Sequence, residues 1–145
     1  MKRVLIIIFI IIFPQKIQSQ EALVALLKED AKIIFIRHAI APGNGDPDNF
    51  DVNNCDTQRN LSIEGIKQSE EIGNFFKKNN IEIGIVLSSE WCRCKDTAKF
   101  AFNNYKTFDA LNSFYSEKFS NNKSSQIKKL KKYIKKWDGK KNLIF

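Results

Sequence analysis

Residues 33–39, Ile-Ile-Phe-Ile-Arg-His-Ala, set a four-residue apolar run directly against Arg37 and the single histidine of the chain, His38. A short continuous apolar run of this kind reads as a strand covered on both faces, the type found in parallel sheets. Ligands of such sheets sit just beyond the carboxyl ends of the strands. The fold that buries this run therefore delivers His38 to the place where chemistry is done. Taken alone, a strand-end histidine satisfied by a backbone carbonyl is the plainer reading, and the rest of the chain shifts that balance.

Helical and strand-like segments alternate from here on. Leu23, Leu26 and Leu27 recur at helical spacing in residues 21–28, ahead of a strand over 32–36. Residues 41–54 gather Pro42, Gly43, Asn44, Gly45, Asp46 and Pro47, turn formers that neither helix nor strand tolerates, and a loop of this length is most often functional. Ser62 caps a predicted helix over 63–78, with Ile66, Ile72, Phe75 and Phe76 on its apolar side and Asn79 and Asn80 at its end. A second buried strand follows over 84–87. Ser89 is placed to cap a helix over 90–103 that carries Arg93 in its first turns. A short strand over 107–111, a basic amphipathic helix over 126–137 and a fourth apolar run over 142–145 complete the pattern. The alternation predicts an α/β fold, mainly a parallel sheet flanked by helices.

A length of 145 residues with 43% hydrophobic content argues for one globular domain and against disorder. Its first residues stand apart from that domain. Lys2 and Arg3 precede an uninterrupted apolar stretch of ten, residues 4–13, which Pro14 ends. The stretch is too short for a membrane-spanning helix and right for a signal peptide. The expected organisation is a signal peptide over 1–19, cleaved after Ser19, and one domain over 20–145, periplasmic or secreted. An uncleaved membrane anchor is the alternative.

Export makes Cys55, Cys92 and Cys94 candidates for one disulfide and one leftover thiol. Cys92 and Cys94, two apart on one helix, point to nearly opposite sides. Cys55 is therefore expected to pair with Cys92 or Cys94. One histidine and three cysteines without paired Cys-x-x-Cys spacing do not predict a metal site.

The net charge of +8 is concentrated late in the chain, where Lys118, Lys123, Lys128, Lys129, Lys131, Lys132, Lys135, Lys136, Lys140 and Lys141 face few acids. Ile127, Leu130, Ile134 and Trp137 run along the same segment at helical spacing, which puts the lysines on the opposite, solvated face. Contact of that face with a membrane surface is the functional alternative. No nucleic-acid partner is expected.

Arg37 and His38 follow the first strand, and Arg93 comes just after the second. Guanidinium forks match the non-bridging oxygens of phosphate, and a helix N-terminus adds backbone donors to the same anion. Neighbouring cations also favour a neutral imidazole with a ring nitrogen free to attack phosphorus. Nucleophilic catalysis on a phosphoryl group follows.

At these residues the sequence resembles the histidine phosphatase superfamily, of phosphoglycerate-mutase-like fold, from the first strand through nearly all the remaining chain. Arg37-His38-Ala39 looks like the Arg-His-Gly motif, with Ala in place of Gly. Arg59-Asn60-Leu61-Ser62 and Gly65 resemble the segment entering the first large helix. Ser88, Ser89, Arg93, Thr97 and Ala98 have the spacing of Ser-Ser-x-x-x-Arg-x-x-x-Thr-Ala. The resemblance implies that His38 is the residue phosphorylated, that Arg37 and Arg93 hold the phosphoryl oxygens, and that no cofactor is needed. Arg59 either lines the same pocket or braces the loop.

The family's second pocket histidine lies at the end of the strand that residues 142–145 begin, so the resemblance implies a fold incomplete at the C-terminus. The family's acid has no clear match. Asn112 stands where it is first sought, Glu117 is the next candidate, and Asp46, Asp48 and Asp56 are alternative proton donors. The expected activity is an exported phosphatase acting on a small phosphate monoester or related phosphorylated compound through a phosphohistidine. The alternatives are a non-catalytic protein that binds phosphate or a polyanion, and an inactive fragment of the enzyme.

Overall fold

The computed structural model describes residues 15–145. The apolar stretch 4–13, on which the signal-peptide reading rests, lies outside them. In chain order the elements are α1 (Gln15–Glu29), β1 (Ile33–Ile34), α2 (Ile63–Lys78), β2 (Ile83–Ser88), α3 (Cys92–Phe102), β3 (Lys106–Thr107), α4 (Glu117–Ser120), α5 (Lys123–Ile134) and β4 (Asn142–Ile144). Two 3₁₀ turns, Cys55–Thr57 and Asp109–Leu111, lie in the connections.

The strands form one parallel sheet in the order β1-β4-β2-β3, so the last strand in sequence is an inner one. Leu143 pairs with both Ile33 and Ile85, and Ile144 with both Ile34 and Val86. Asn142 fixes the start of this arrangement. Its Oδ1 accepts from Lys32 N at 2.8 Å, and its Nδ2 donates to the carbonyls of Leu27 and Glu82 at 3.1 and 2.7 Å. One buried amide thus ties the end of α1 and the approach to β1 to the approach to β2.

Alternation along β2 and β4 divides the core between the two faces of the sheet. Val86 and Ile144 join Leu27, Phe76 and Ala98 from the helices of one face and Ile81 from the connection between α2 and β2. Leu87, Leu143 and Phe145 join Phe108, Leu130, Tyr133, Ile134 and Trp137 on the other. Complete burial of such side chains stabilises by roughly 1.5–3 kcal/mol each, which secures β4 in the centre despite its short length. Helices α2 and α3 meet closely at Gly73, where a Cβ would fall 2.0 Å from the Ala101 carbonyl oxygen.

Several elements depart from their predicted form. The first strand is an outer one with only Ile33 and Ile34 in its ladder, and Phe35 is 63% exposed rather than covered. Among the described side chains of α1 Leu27 is the buried one, while Leu23 and Leu26 face outward. Residues 109–111 form a 3₁₀ turn instead of strand, because β3 ends at Thr107 and Leu111 N bonds back to Phe108 O at 2.9 Å. The basic helix begins three residues earlier than predicted and ends before Trp137.

Candidate active site

The segment after β1 is pinned from two helices. Ala39 N donates to Thr97 Oγ1 of α3 at 3.0 Å, and Ser62 N donates to Ile40 O at 3.0 Å. Ser62 also caps α2 by accepting from Gly65 N at 3.1 Å. Gly65 is required there, since a Cβ would lie 2.1 Å from the Ile40 carbonyl oxygen. These contacts hold His38 in the segment that follows β1.

His38 Nδ1 lies 2.8 Å from Ala39 O. A carbonyl only accepts, so Nδ1 carries the proton and Nε2 keeps its lone pair. Burial pushes the His38 pKa down. The Ala39 carbonyl opposes this, while Arg93, Arg59 and Arg37 add to the depression. A neutral imidazole with a basic Nε2 results at neutral pH.

Arg93 is buried in the first turn of α3. That helix starts two residues later than predicted, with Trp91 as its N-cap. Ser89 Oγ accepts from Trp91 N at 3.2 Å, and the buried Gln58 accepts from Cys92 N through Oε1 at 2.9 Å. A side chain from the preceding loop thus satisfies a helix-end donor that a local cap would otherwise serve. The loop is also bonded covalently to the helix: Cys55 and Cys92 form a disulfide, and Cys94 is the free thiol. Burial pushes the Cys94 thiol up despite the nearby arginines.

Asp46 holds the other side of Arg93. Arg93 Nη1 donates to its Oδ1 at 2.6 Å and Nη2 to its Oδ2 at 3.1 Å. Arg59 N and Trp91 Nε1 donate to the same carboxylate at 3.1 and 3.0 Å. Burial alone would raise the Asp46 pKa, but these donors and the Arg93 charge outweigh it and bring it below the ordinary carboxylate value. Asp46 is therefore a committed carboxylate and a poor proton donor. Arg93 Nε is buried with no hydrogen-bond partner among the described residues.

A cleft of about 610 Å³ brings Arg37, His38, Arg59 and Arg93 together at the carboxyl end of the sheet, with Asp46 and Asp48 in its wall. Arg59 also braces the loop, donating from Nε to Gly45 O at 3.0 Å and from Nη1 to Ala41 O. Glu117 does not line the cleft; it begins α4 with its side chain exposed. Asp56 lies on the exposed Cys55–Thr57 turn. Asn112 takes a structural part, accepting from Ser89 Oγ and Glu90 N through Oδ1 and donating to Glu90 Oε2 at 2.6 Å.

The sequence reading named none of the aromatic residues in this cleft. Phe50, Trp91, Tyr115 and Phe119 line it together with the arginines. The signal was present in Phe50 and Tyr115, large rings set in polar, turn-rich sequence outside any predicted helix or strand.

No family model matches the chain, and no curated protein does. Among solved structures it is similar to a candidate phosphohistidine phosphatase, SixA, from Agrobacterium tumefaciens, at 20% identity and a TM-score of 0.50 over 76% of this chain and 64% of that one. The protein histidine phosphatase SixA complexed with tungstate aligns at 17% identity and a TM-score of 0.46, over 76% of this chain and 65% of that one. The chain spans just under two thirds of the length of each. The likeness to the Agrobacterium protein, with the parallel sheet and flanking helices, gives this chain the phosphoglycerate-mutase-like α/β fold.

Proposed function

We propose that the protein hydrolyses a phosphorylated substrate through a phosphohistidine formed on His38. The observation that carries this reading is the 2.8 Å contact of His38 Nδ1 with the Ala39 carbonyl, which assigns the proton to Nδ1 and leaves the Nε2 lone pair free, in a cleft also lined by Arg37, Arg59 and Arg93. Guanidiniums compensate the charge that spreads over the phosphoryl oxygens in the transition state. The buried, unpartnered Arg93 Nε supports an acidic oxygen as its missing acceptor.

In the first step His38 Nε2 bonds to phosphorus as the bond to the leaving group breaks, and the leaving group departs with the electron pair. In the second, water attacks phosphorus, the P–N bond breaks and its electron pair returns to Nε2. The attacking water gives its proton to solvent, from which the departed leaving group takes one up, and inorganic phosphate is released. The description of the Agrobacterium neighbour as a phosphohistidine phosphatase supports including N-phosphoryl groups beside phosphate monoesters as substrates.

Labelling with a radioactive phosphoryl donor tests the intermediate. The expected label is acid-labile, alkali-stable and absent from His38→Ala. Phosphate release by His38→Ala at the wild-type rate would overturn the reading. Phosphate binding without any turnover would favour a binding protein instead.

Export belongs to the same proposal, supported by the basic and apolar pattern of residues 2–13 and by a disulfide that an oxidising compartment maintains. Intact-mass analysis of extracytoplasmic protein should find a chain beginning near Gln20. Cytoplasmic protein still starting at Met1 would remove it.

A further inference from the structure

Helix α5 has two unlike faces. Leu130, Tyr133 and Ile134, with Trp137 just beyond, pack into the core on one face of the sheet. Lys128, Lys131, Lys132, Lys135 and Lys136 are all exposed and line a shallow groove of about 820 Å³ together with Ile127. Their spacing of i, i+3, i+4, i+7 and i+8 sets them in one stripe, about 12 Å long at the helical rise. Although α5 ends at Ile134, Lys135 N and Lys136 N bond back to Lys131 O and Tyr133 O, which carries the stripe one turn further.

The charge of this stripe is unopposed. No carboxylate pairs with any of the five lysines among the described residues. Lys129, between them in sequence, turns aside to Asp109 and lies over the Phe108 ring at 5.6 Å. From Lys123 to Lys141 the chain carries nine lysines and one acid, Asp138. A face made for solubility intersperses both signs, and like charges four apart disfavour a helix. Lys128 and Lys132, Lys131 and Lys135, and Lys132 and Lys136 are three such pairs. The fold keeps a repulsion here that an anionic surface outside the chain would relieve.

From this stripe we propose that α5 docks the protein on an anionic lipid bilayer, with the lysine ammonium groups among the charged headgroups. The occupant follows from what the face holds and what it omits. Protein interfaces are depleted of lysine and anchor on aromatic or arginine side chains, and single-stranded nucleic acid is held by stacking on aromatic rings. The groove has no aromatic ring and no arginine. A row of flexible point charges suits a fluid plane of negative charge, and its attraction falls off within a Debye length of that plane. The core occupies the apolar side of α5, so the helix lies on the headgroups and does not insert. None of this depends on the chemistry at His38.

The test is flotation of the full chain with vesicles of phosphatidylcholine alone and with about 30 mol% phosphatidylserine added. Partition onto the anionic vesicles should be the stronger, and the difference should vanish near 1 M salt, where the Debye length is about 3 Å. Any insertion of the apolar residues 4–13 is common to both vesicles and cancels in the ratio. Each lysine near an anionic surface adds about fivefold to binding, so Lys128→Gln with Lys132→Gln should lower the anionic-to-neutral ratio about 25-fold. Arginine at the same two positions should keep it. Lys67→Gln with Lys78→Gln removes the same charge from exposed positions on α2, against the opposite face of the sheet, and should also keep it. Thermal unfolding of the α5 glutamine variant should give a Tm at or above that of wild type, because two like-charge pairs are relieved.

Equal partition onto the two vesicles, an unchanged ratio in the α5 variant, or an equal loss in the α2 variant would overturn the docking face. Duplex DNA that displaced the protein from anionic vesicles at a phosphate concentration below that of the anionic lipid would also overturn it, in favour of a polyanion site.

Discussion

Arg93 and Asp46 meet through both terminal guanidinium nitrogens, while Arg93 Nε is buried without a hydrogen-bond partner among the described residues. The carboxylate thus fixes the guanidinium by one edge and leaves another polar hydrogen unspent. Asp46 lies between Gly45, at φ +70°, and Pro47, so the backbone that presents it is a tight turn with little freedom of its own. A side chain placed in a turn-rich loop becomes the anchor of a buried arginine in the cleft.

Asp46→Asn should weaken folding by about 1–3 kcal/mol, because it leaves the Arg93 charge and the Trp91 indole N–H incompletely satisfied in a largely buried place. Phosphate release should fall as well, through loss of Arg93 orientation. Urea unfolding and steady-state kinetics read the two effects. Wild-type stability in the variant would show that the ion pair contributes nothing net.

The same pair makes a pH prediction. Asp46 has a native pKa below its unfolded value of about 3.9, so the native state binds its proton less readily than the unfolded state does. Its contribution is fully present above the unfolded pKa and is lost as pH falls through the native one. The stability difference between wild type and Asp46→Asn should therefore persist at pH 6 and close in strong acid. A gap that stayed constant down to pH 2 would contradict the ionised pair.

His38 predicts where activity ends on the acid side. Its pKa is lowered, so kcat/KM should decline with falling pH at a midpoint below the ordinary histidine value of about 6.5, as protonation removes the Nε2 lone pair. Arg37→Gln removes one depressing charge and should move the midpoint upward. The chain has a single histidine, so NMR titration of one imidazole resonance gives the assignment directly. A native midpoint above 6.5 would contradict burial as the leading cause.

Much of the frame was legible because it follows local rules. Ser62 and its capped helix could be read, since a cap and an apolar stripe are written within a few residues. The short strand that leads toward Arg37 and His38 was legible for the same reason, although its outer position in the sheet was not. The order β1-β4-β2-β3 depends on Asn142 reaching across from β4 to both neighbouring chain segments, a long-range arrangement that no window of sequence displays. Likewise, Gln58 displaces Ser89 as the determinant of where α3 begins only because folding brings residue 58 beside residue 92. The placing of Asp46 against Arg93, 47 positions away, is of this kind too.

The disulfide gives the most direct test of how the loop and α3 cooperate. Cys55 and Cys92 are separated by 37 positions, and closing a loop of that length in the unfolded chain is worth roughly 4 kcal/mol in the chain-entropy account. Reduction should therefore lower stability by an amount of that order. It should also loosen the loop that carries Asp46 and Arg59, so that phosphate release falls before the sheet unfolds. Cys94 supplies the internal control: its thiol is pushed up by burial and should alkylate slowly in native protein and quickly in urea. Peptide mapping under non-reducing conditions should join Cys55 to Cys92 and find Cys94 alone as a thiol. A Cys55–Cys94 linkage would be incompatible with the described geometry, and full activity in reduced protein would show that Gln58 and Asp46 position Arg93 without the covalent tie.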